Sequence, residues 1–212
     1  MSDQLEQVRT LFDRWAETGR AEGMERGHGP TARKAFDRLG VRAGTRYLDI
    51  GCGNGYTVRW AAELGATAVG IDVSEKMIAR ARSLSPAGTR FIHAPYPLPI
   101  LKAKSFDAIF SMEVFYYLPD VTWGVLSTAR LLAPGGLFAC VVDYYDENPA
   151  SHSWPEDVGV KMNLLSERGW RDAMEQVGLE VVEQARLTDP DADEAWKRDV
   201  GSLLTLARRP AS

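Results

Sequence analysis

The segment YLDIGCGNG, residues 47–55, constrains the fold of this chain more than any other stretch. Strand-forming and apolar residues run directly into three glycines at alternate positions, Gly51, Gly53 and Gly55. Glycine allows a tight turn and lets a ligand approach the backbone closely. A glycine-rich turn between a strand and a helix is typical of open α/β sheets, which bind ligands at the carboxyl ends of their strands. The segment therefore predicts an α/β fold with a ligand site at this turn.

The nature of the ligand is narrowed by the residues around the glycines. Tyr56 stands where a G-x-G-x-x-G dinucleotide motif needs glycine, and the sequence has no G-K-[ST] of a phosphate-binding loop. Asp72 ends the next predicted strand, about 20 positions after the first glycine, where an acid reaches ribose hydroxyls. A carboxylate accepts two hydrogen bonds from such a diol. The pattern therefore predicts a ribose-bearing ligand without a pyrophosphate.

Predicted strands and helices alternate along the chain, and the early strands are continuous apolar runs. That pattern is typical of a mostly parallel sheet with helices on both faces. The last two strands are joined by a short connection without a clear helix, so we expect the last strand to run antiparallel. The sequence thus predicts a Rossmann-like, doubly wound α/β fold with a seven-stranded sheet. The predicted strands are RYLDIG, ATAVGID, TRFIHA, FDAIFSM, LFACVVDYY, LEVVEQARL and SLLTLARR.

The chain before and after this core has its own patterns. Apolar residues at helical spacing predict an amphipathic first helix. Residues 19–30 hold four glycines, a proline and many charges, which predicts a loop, and a second helix is expected over 31–39. Residues 143–165 form the longest irregular stretch, and a loop of that length is typical of functional or disordered segments. The apolar residues of the first helix are Leu5, Val8, Leu11, Phe12 and Trp15.

Composition excludes several classes of protein. The chain has 212 residues, of which 45% are hydrophobic and 25% charged, and we expect one globular domain. Its net charge is −4 and it has no basic run, which argues against a nucleic-acid partner. We expect no signal peptide and no membrane-spanning helix. Cys52 and Cys140 are far apart, so we expect no metal site or disulfide, and a cytoplasmic protein.

Four ordered segments cover about residues 45–142: YLDIGCGNG, VGIDVS with SEKMIARAR after it, SFDAIFSMEVFYYLPD and LLAPGGLFACVV. They resemble the motifs of class I S-adenosylmethionine-dependent methyltransferases, in particular the type 11 or UbiE-like small-molecule group. The resemblance implies transfer of a methyl group from S-adenosyl-L-methionine to a small-molecule acceptor by in-line displacement, releasing S-adenosyl-L-homocysteine. It also implies a single domain over 1–212. Its expected parts are a helical cap over the cofactor site (1–44), a cofactor-binding core (45–142), and an acceptor loop, a helix and the last two strands (143–212).

Positions that match the family motifs imply roles in the cofactor site. Asp49 is expected to hold the glycine loop or the ammonium group, and Asp72 the ribose hydroxyls. Met112 is expected beneath the sulfonium. Glu25 and His28 could contact cofactor or acceptor from the cap, or belong to a polar surface loop. The predicted cofactor set is Glu25, His28, Asp49, Gly51, Cys52, Gly53, Asn54, Gly55, Asp72, Val73, Met77, Ala94, Pro95, Tyr96 and Met112.

One segment departs from the family pattern. The family often has an acid near the adenine amino group, whereas this sequence has Ala94 followed by Pro95, which has no N–H to donate. We therefore expect adenine to be held by apolar contact, with Tyr96 as a candidate, or by backbone groups.

Residues for the chemistry are less evident, because methyl transfer from a sulfonium mainly needs alignment of the reacting atoms. His152, in the long loop, is a candidate general base, against the alternative of a solvated loop histidine. Glu113 could orient the acceptor, or cap a helix. Aromatic residues at strand exits could form a pocket wall or pack in the core. The predicted acceptor set is Glu113, Tyr116, Tyr117, Tyr144, His152 and Trp154, with Tyr145 as a further member of the aromatic group.

Other functions compete with this interpretation. A nucleic-acid methyltransferase commonly carries [DNS]-P-P-[YFW] after the fourth strand, where this chain reads SMEVFYY. A protein substrate and a non-catalytic cofactor-binding or partner protein are further alternatives, and a nicotinamide dehydrogenase is disfavoured by Tyr56. The sequence leaves the acceptor and the oligomeric state open.

Overall fold

The computed structural model describes residues 3–211 and shows one seven-stranded sheet with helices on both faces. The strands are β1 (Arg46–Ile50), β2 (Thr67–Asp72), β3 (Arg90–His93), β4 (Phe106–Met112), β5 (Leu132–Val142), β6 (Glu180–Leu187) and β7 (Ser202–Arg208). The helices are α1 (Asp3–Glu17), α2 (Arg20–Asp37), α3 (Tyr56–Glu63), α4 (Glu75–Leu84), α5 (Val121–Leu131), α6 (Trp154–Val158), α7 (Glu167–Glu175) and α8 (Ala195–Asp199).

The strand order is β3-β2-β1-β4-β5-β7-β6, and the first five strands are parallel. β7 runs antiparallel to both β5 and β6. The prediction of a mostly parallel, seven-stranded sheet with an antiparallel last strand is therefore confirmed. The strand order reverses between β1 and β4, and the crevice at such a point is where open α/β sheets bind ligands.

Apolar residues on alternate positions of the strands supply two cores, one on each face of the sheet. Leu48 and Ile50 of β1 lie in the first core with Phe138 of β5. Tyr47 lies in the second core with Phe110 of β4. Because both faces are covered, the central strands contain few polar residues, and a polar side chain at a strand end is conspicuous.

Side-chain caps fix where several helices begin. Ser74 Oγ accepts a hydrogen bond from the Met77 amide at 3.0 Å, which starts α4 directly after β2. Asp120 and Ser166 cap α5 and α7 in the same way. A cap of this kind satisfies an amide that the helix itself leaves unpaired.

The prediction of a loop over residues 19–30 is wrong, because residues 20–30, including Pro30, belong to the helix α2. Glycines at 23, 27 and 29 weaken the helix locally. Contacts to the rest of the fold compensate, since Glu22 pairs with Arg80, and Lys197 donates to the Gly27 carbonyl at 3.3 Å. Tertiary packing thus overrides the local preference.

The two N-terminal helices cover the carboxyl end of the sheet from different sides. α1 packs on α4, whereas α2 packs on α3, β5 and β6. The stretch 143–165 is largely irregular, as predicted, but contains α6 and a short 3₁₀ turn over Pro149–Ser151. Within residues 3–211, none of the helices has the length and apolar character needed to cross a membrane.

Candidate cofactor and acceptor site

A cavity of about 310 Å³ lies at the carboxyl ends of β1, β2 and β4, beneath α1 and α2. That volume is at the lower end of the range of small-molecule sites, roughly 300 to 1,000 Å³. Its walls combine apolar side chains with several carboxylates. The apolar side chains include Val8, Phe12, Ile71, Met112, Leu118 and Trp123.

The glycine loop after β1 turns back on β2. The amides of Gly51 and Cys52 both donate to the Ile71 carbonyl, at 2.8 and 2.9 Å. Gly51, Gly53 and Gly55 all have positive φ, of 75°, 50° and 80°. This left-handed backbone favours glycine, because a side chain there would be strained.

The three glycines nevertheless serve different purposes. A Cβ on Gly51 would lie 2.1 Å from Val114 Cγ2, and one on Gly55 would lie 2.7 Å from the Phe91 ring. A Cβ on Gly53 would meet nothing within 4 Å, and Gly53 lines the cavity. The outer two glycines therefore allow close packing within the protein, whereas the middle one leaves open space for a ligand.

Asp72 ends β2 and fixes the glycine loop. Its Oδ2 accepts from the Gly53 amide at 2.9 Å, and its Oδ1 accepts from the Ser74 amide at 2.8 Å. Burial raises the pKa of Asp72 to about 6. Each carboxylate oxygen can accept a second hydrogen bond, so Asp72 can still bind the two hydroxyls of a ribose.

Asp49 is buried near the end of β1 and also lines the cavity. Its Oδ2 accepts from the Thr57 hydroxyl, and burial raises its pKa to about 7. A positively charged ligand would favour the ionised form of this carboxyl. Nearby, Asn54 Oδ1 is buried and has no hydrogen-bond partner among the described residues. This part of the cavity therefore fits a ligand that carries a cation and a hydrogen-bond donor.

The residues present fit S-adenosylmethionine, which carries a ribose, an ammonium group and a sulfonium. A family model described as a methyltransferase domain matches residues 48–140. A chain from the solved complex of the Haloferax volcanii Trm112 methyltransferase activator with a methyltransferase is 34% identical, with a TM-score of 0.89. That match covers 94% of this chain and 97% of the other. The chain belongs to the S-adenosylmethionine-dependent methyltransferases.

Curated relatives of this methyltransferase act on different molecules. The cycloartenol-C-24-methyltransferase 1 of Oryza sativa subsp. japonica is 32% identical over 57% of this chain and 38% of its own length. The ubiquinone biosynthesis O-methyltransferase of Psychrobacter cryohalolentis is 31% identical over 79% of this chain and 65% of its own. The chain thus spans less than two thirds of either relative. The resemblance to the type 11 or UbiE-like group, the cofactor and the enzyme class are all confirmed.

Glu113 also lines the methyltransferase cavity, directly after β4, and has a positive φ of 61°. Its Oε1 accepts from the Asp143 amide at 2.5 Å, and its Oε2 accepts from the Tyr116 hydroxyl at 2.7 Å. Burial and the neighbouring Asp143 carboxylate raise the pKa of Glu113 well above its usual range. Glu113 is therefore held rigidly and takes up a proton readily.

The helix α2 contributes Glu25 and His28 to the cavity wall. Glu25 Oε2 accepts from Asn54 Nδ2 at 2.6 Å, and its Oε1 lies 3.2 Å from Arg59 of α3. These contacts hold α2 against the glycine loop. The alternative of a polar surface loop at these positions is wrong, since both side chains lie on a helix that faces the site.

Most of the predicted site residues come together at this cavity. Those that line it are Glu25, His28, Asp49, Gly51, Cys52, Gly53, Asn54, Asp72, Val73, Ala94, Tyr96, Met112, Glu113 and Tyr117. Near the departure from the family pattern, the Ala94 amide donates to the Asp72 carbonyl at 3.0 Å. Tyr96 is held by a hydrogen bond of 2.8 Å between its hydroxyl and Thr128 Oγ1.

Three residues predicted for the cofactor do not line the cavity. Gly55 packs under Phe91 at the start of α3, and Met77 lies on the buried face of α4 and is fully buried. Pro95 is exposed, although its neighbours Ala94 and Tyr96 reach the cavity. Packing explains the first two: Gly55 lies in a strand–helix turn that must be tight whatever it binds, and Met77 fills the protein interior.

The predicted acceptor residues of the long loop are also placed elsewhere. His152 is exposed, outside the cavity wall, and its Nε2 lies 2.9 Å from the Asp146 carbonyl, so the structure gives it no contact with the site. Trp154 packs against Trp196, with ring centroids 5.8 Å apart. Tyr144 packs on Tyr116, which positions Glu113, and Tyr145 donates to the Gly201 carbonyl. The irregular loop folds back on the protein rather than over the cavity.

Several lining residues were not predicted from the sequence. They are Leu5, Val8, Phe12, Met24, Tyr56, Ile71, Pro97, Phe110, Val114, Leu118, Pro119, Asp120 and Trp123. The apolar face of α1 was detected as a helical stripe, and only its docking shows that three of its members face a ligand site. Asp120 and Trp123 carry no local signal beyond a helix start.

Proposed function

We propose that this methyltransferase acts on a small, apolar acceptor that bears no anionic group. The observation that carries the proposal is the charge of the cavity wall. Among the described lining residues, five carry carboxyl groups and none is lysine or arginine. The five are Glu25, Asp49, Asp72, Glu113 and Asp120.

The lining carboxyl groups and the apolar side chains both favour a neutral, apolar acceptor. An anionic acceptor would find no lysine or arginine to pair with among the described lining residues. It would also be repelled by the lining carboxyls that are ionised, because like charges in a partly buried site interact more strongly than in water. The cationic cofactor is attracted by the same field. Phe12, Leu118 and Trp123 offer an apolar surface to the rest of the acceptor. The relatives named for cycloartenol and for ubiquinone biosynthesis support an acceptor of the small-molecule class.

The residues would act mainly by binding and alignment. When bound, the cofactor supplies an activated methyl group. Asp72 would hold the ribose hydroxyls, and Asp49 the ammonium group, while the open space at Gly53 accommodates the ligand. α1 and α2 would exclude water above the reacting atoms. Such alignment accounts for a large part of the rate in displacement reactions.

Two measurements test the proposal. Calorimetry should show saturable binding of both S-adenosylmethionine and S-adenosylhomocysteine. Methyl transfer from labelled cofactor should then be measured with two matched probes, neutral 4-methylcatechol and anionic 3,4-dihydroxybenzoate. We expect the neutral probe to have a kcat/KM at least about tenfold higher, because the like charge costs more than about 1.4 kcal/mol in this site. A preference for the anion would refute the proposed acceptor class.

A protein partner is a second proposal, carried by one comparison. The structural neighbour with a TM-score of 0.89 was solved in a complex with the Trm112 methyltransferase activator. We infer that this chain can bind an activator of that type. Mixing the chain with the Haloferax volcanii activator and measuring mass by light scattering should reveal a one-to-one complex. Separate elution of the two proteins would count against this partner.

A further inference from the structure

We propose that His28 accepts the proton of a hydroxyl-bearing acceptor, with Asp143 as the residue that positions the imidazole. The inference rests on the proposed function, and it narrows the acceptor to a molecule methylated on oxygen. Neither residue was considered as a proton acceptor on sequence grounds, and His152, which was, lies outside the cavity.

The geometry brings a histidine and a carboxylate together beside the cavity. His28 lies on α2 and lines the wall, with its side chain 24% exposed. Its Nε2 lies 3.8 Å from Asp143 Oδ2, slightly longer than a hydrogen bond. Catalytic hydrogen bonds are often long before substrate binds. Since Nε2 faces the carboxylate, Nδ1 is the ring nitrogen left for the acceptor.

The backbone of Asp143 is held in place by hydrogen bonds to two side chains, those of Glu113 and Asn148. Its amide donates to Glu113 Oε1 at 2.5 Å, and its carbonyl accepts from Asn148 Nδ2 at 2.8 Å. The side chain is 1% exposed, yet Oδ1 has no hydrogen-bond partner among the described residues. A buried carboxylate oxygen with unused acceptor capacity is costly. Such a group is suited to stabilise a charge that forms beside it.

The charges around His28 fit the role of a base. Burial lowers the pKa of His28, so that the ring is neutral near pH 7, while the Asp143 carboxylate acts in the opposite direction. Two charged residues at α8 also act on the ring: Lys197 lowers the pKa of His28, and Glu194 raises it. Glu25, which lies on α2 with His28, is paired with Arg59 of α3. Burial raises the pKa of Asp143 itself, whereas a charged His28 lowers it. A proton arriving on His28 therefore favours the ionised form of Asp143, and the two charges stabilise each other.

The other candidate base is less suitable. Both oxygens of Glu113 already accept hydrogen bonds, and its raised pKa favours the protonated form. A protonated carboxyl cannot remove a proton from the acceptor. His28 is the neutral basic group on the same wall.

The proposed reaction is a displacement at the methyl carbon coupled to transfer of the acceptor's hydroxyl proton. A lone pair of the acceptor oxygen forms a bond to the methyl carbon, and the bond from that carbon to sulfur breaks with its electron pair on sulfur. The hydroxyl proton moves to His28 Nδ1, and the O–H bonding pair stays on oxygen. The products are the methyl ether, S-adenosylhomocysteine and an imidazolium that later gives its proton to water.

The pairing is tested by titrating the histidines with magnetic resonance on histidine-labelled protein. The chain has three histidines, so the variants His93→Asn and His152→Asn assign the signal of His28. In Asp143→Asn we expect the His28 midpoint to fall by about one pH unit, because the opposite charge is lost. If Asp143→Asn does not fold, Asp143→Glu keeps the charge and should keep the wild-type midpoint within a few tenths of a unit. A midpoint that is unchanged in Asp143→Asn, or moved by a full unit in Asp143→Glu, would overturn the pairing.

The chemical role is tested with His28→Asn, and His152→Asn serves as the matched control. We expect His28→Asn to bind S-adenosylhomocysteine within about threefold of wild type and to lose 100-fold or more in transfer to 4-methylcatechol, the range typical of a general base. The control should retain the wild-type rate. Full activity of His28→Asn would refute the role. If wild type methylates neither catechol probe, the proposed function fails at that point, whereas the titration still decides whether His28 and Asp143 are coupled.

Discussion

The two ends of the cavity hold their carboxyl groups in different ways. At the cofactor end, Asp49 and Asp72 are bound by the hydroxyl and amides of residues close to them in the sequence. At the acceptor end, Glu113 and Asp143 meet across two strands, and His28 joins them from α2. The first end is a local structure, whereas the second exists only once distant segments are assembled.

The difference has a consequence for stability. The local end can be built from a short motif, and its carboxyls are satisfied by the chain around them. The assembled end keeps a buried oxygen of Asp143 without a partner among the described residues, and two carboxyls close together. Glu113 also has a left-handed backbone with a φ of 61°, and backbone strain of this kind is typical of functional sites. The predictions below probe the cofactor end, where the structure gives the sharpest expectations.

The largest expected effect is on the pH dependence of stability. The pKa of Asp49 is about 7 in the folded protein and near 4 when unfolded, so the folded state binds more protons. Its contribution is therefore present at low pH and is lost as pH rises through about 7. Between about pH 5 and pH 8 this amounts to roughly 3 kcal/mol.

Asp49→Asn removes this contribution, so we expect the stability difference between variant and wild type to change by that amount across the range. Urea unfolding at several pH values measures it. Parallel stability curves for the two proteins would contradict the assignment of the shift to Asp49.

The next effect concerns cofactor affinity. Asp72→Ala removes the carboxylate that fixes the Gly53 and Ser74 amides and can bind the ribose. We expect affinity for S-adenosylhomocysteine to fall by about 100-fold, or about 3 kcal/mol. Asp107→Ala is the control, because Asp107 pairs with Arg46 at the opposite end of β1. Calorimetry that found equal losses in both variants would point to a general loss of folding.

A pair of glycine variants separates packing from ligand binding. Gly51→Ala should lower the free energy of unfolding by about 3 kcal/mol, because its Cβ would overlap Val114. Gly53→Ala should lower it by only about 1 kcal/mol, the cost of a left-handed backbone, while filling space intended for the ligand. Denaturation and calorimetry on both variants give the comparison. Similar stabilities would show that the loop can rearrange.

The smallest effect tests how the cap is held. Glu25→Ala breaks the contacts to Asn54 and Arg59, so α2 should cover the glycine loop less firmly. We expect cofactor affinity to fall about fivefold, equal to about 1 kcal/mol. Asp37→Ala, which breaks the pair with Arg33 within the same helix, should leave affinity unchanged. Stopped-flow dissociation of the cofactor is the sensitive measurement, and identical rates in the two variants would contradict a role for Glu25.

Prediction from sequence succeeded where a feature depends on neighbouring residues. The glycine turn, Asp49, Asp72 and the Ser74 cap all lie within about 30 residues of chain, and spacing along two strands and a helix determines their arrangement. It failed at residues 19–30, where local glycines and a proline indicated a loop and distant ion pairs hold a helix. It also failed at His152, because its direction depends on how a long loop packs.

By itself, the sequence determined the α/β fold, the antiparallel last strand and the glycine turn with Asp49 and Asp72, because alternating apolar strands and a glycine-rich turn are short-range properties. Only the tertiary structure decided that α1 and α2 close the cavity and that His28 meets Asp143. Those contacts join residues far apart in the chain, and no local pattern specifies them. Their geometry follows from the docking of α2 on β5 and from the parallel register of β4 and β5.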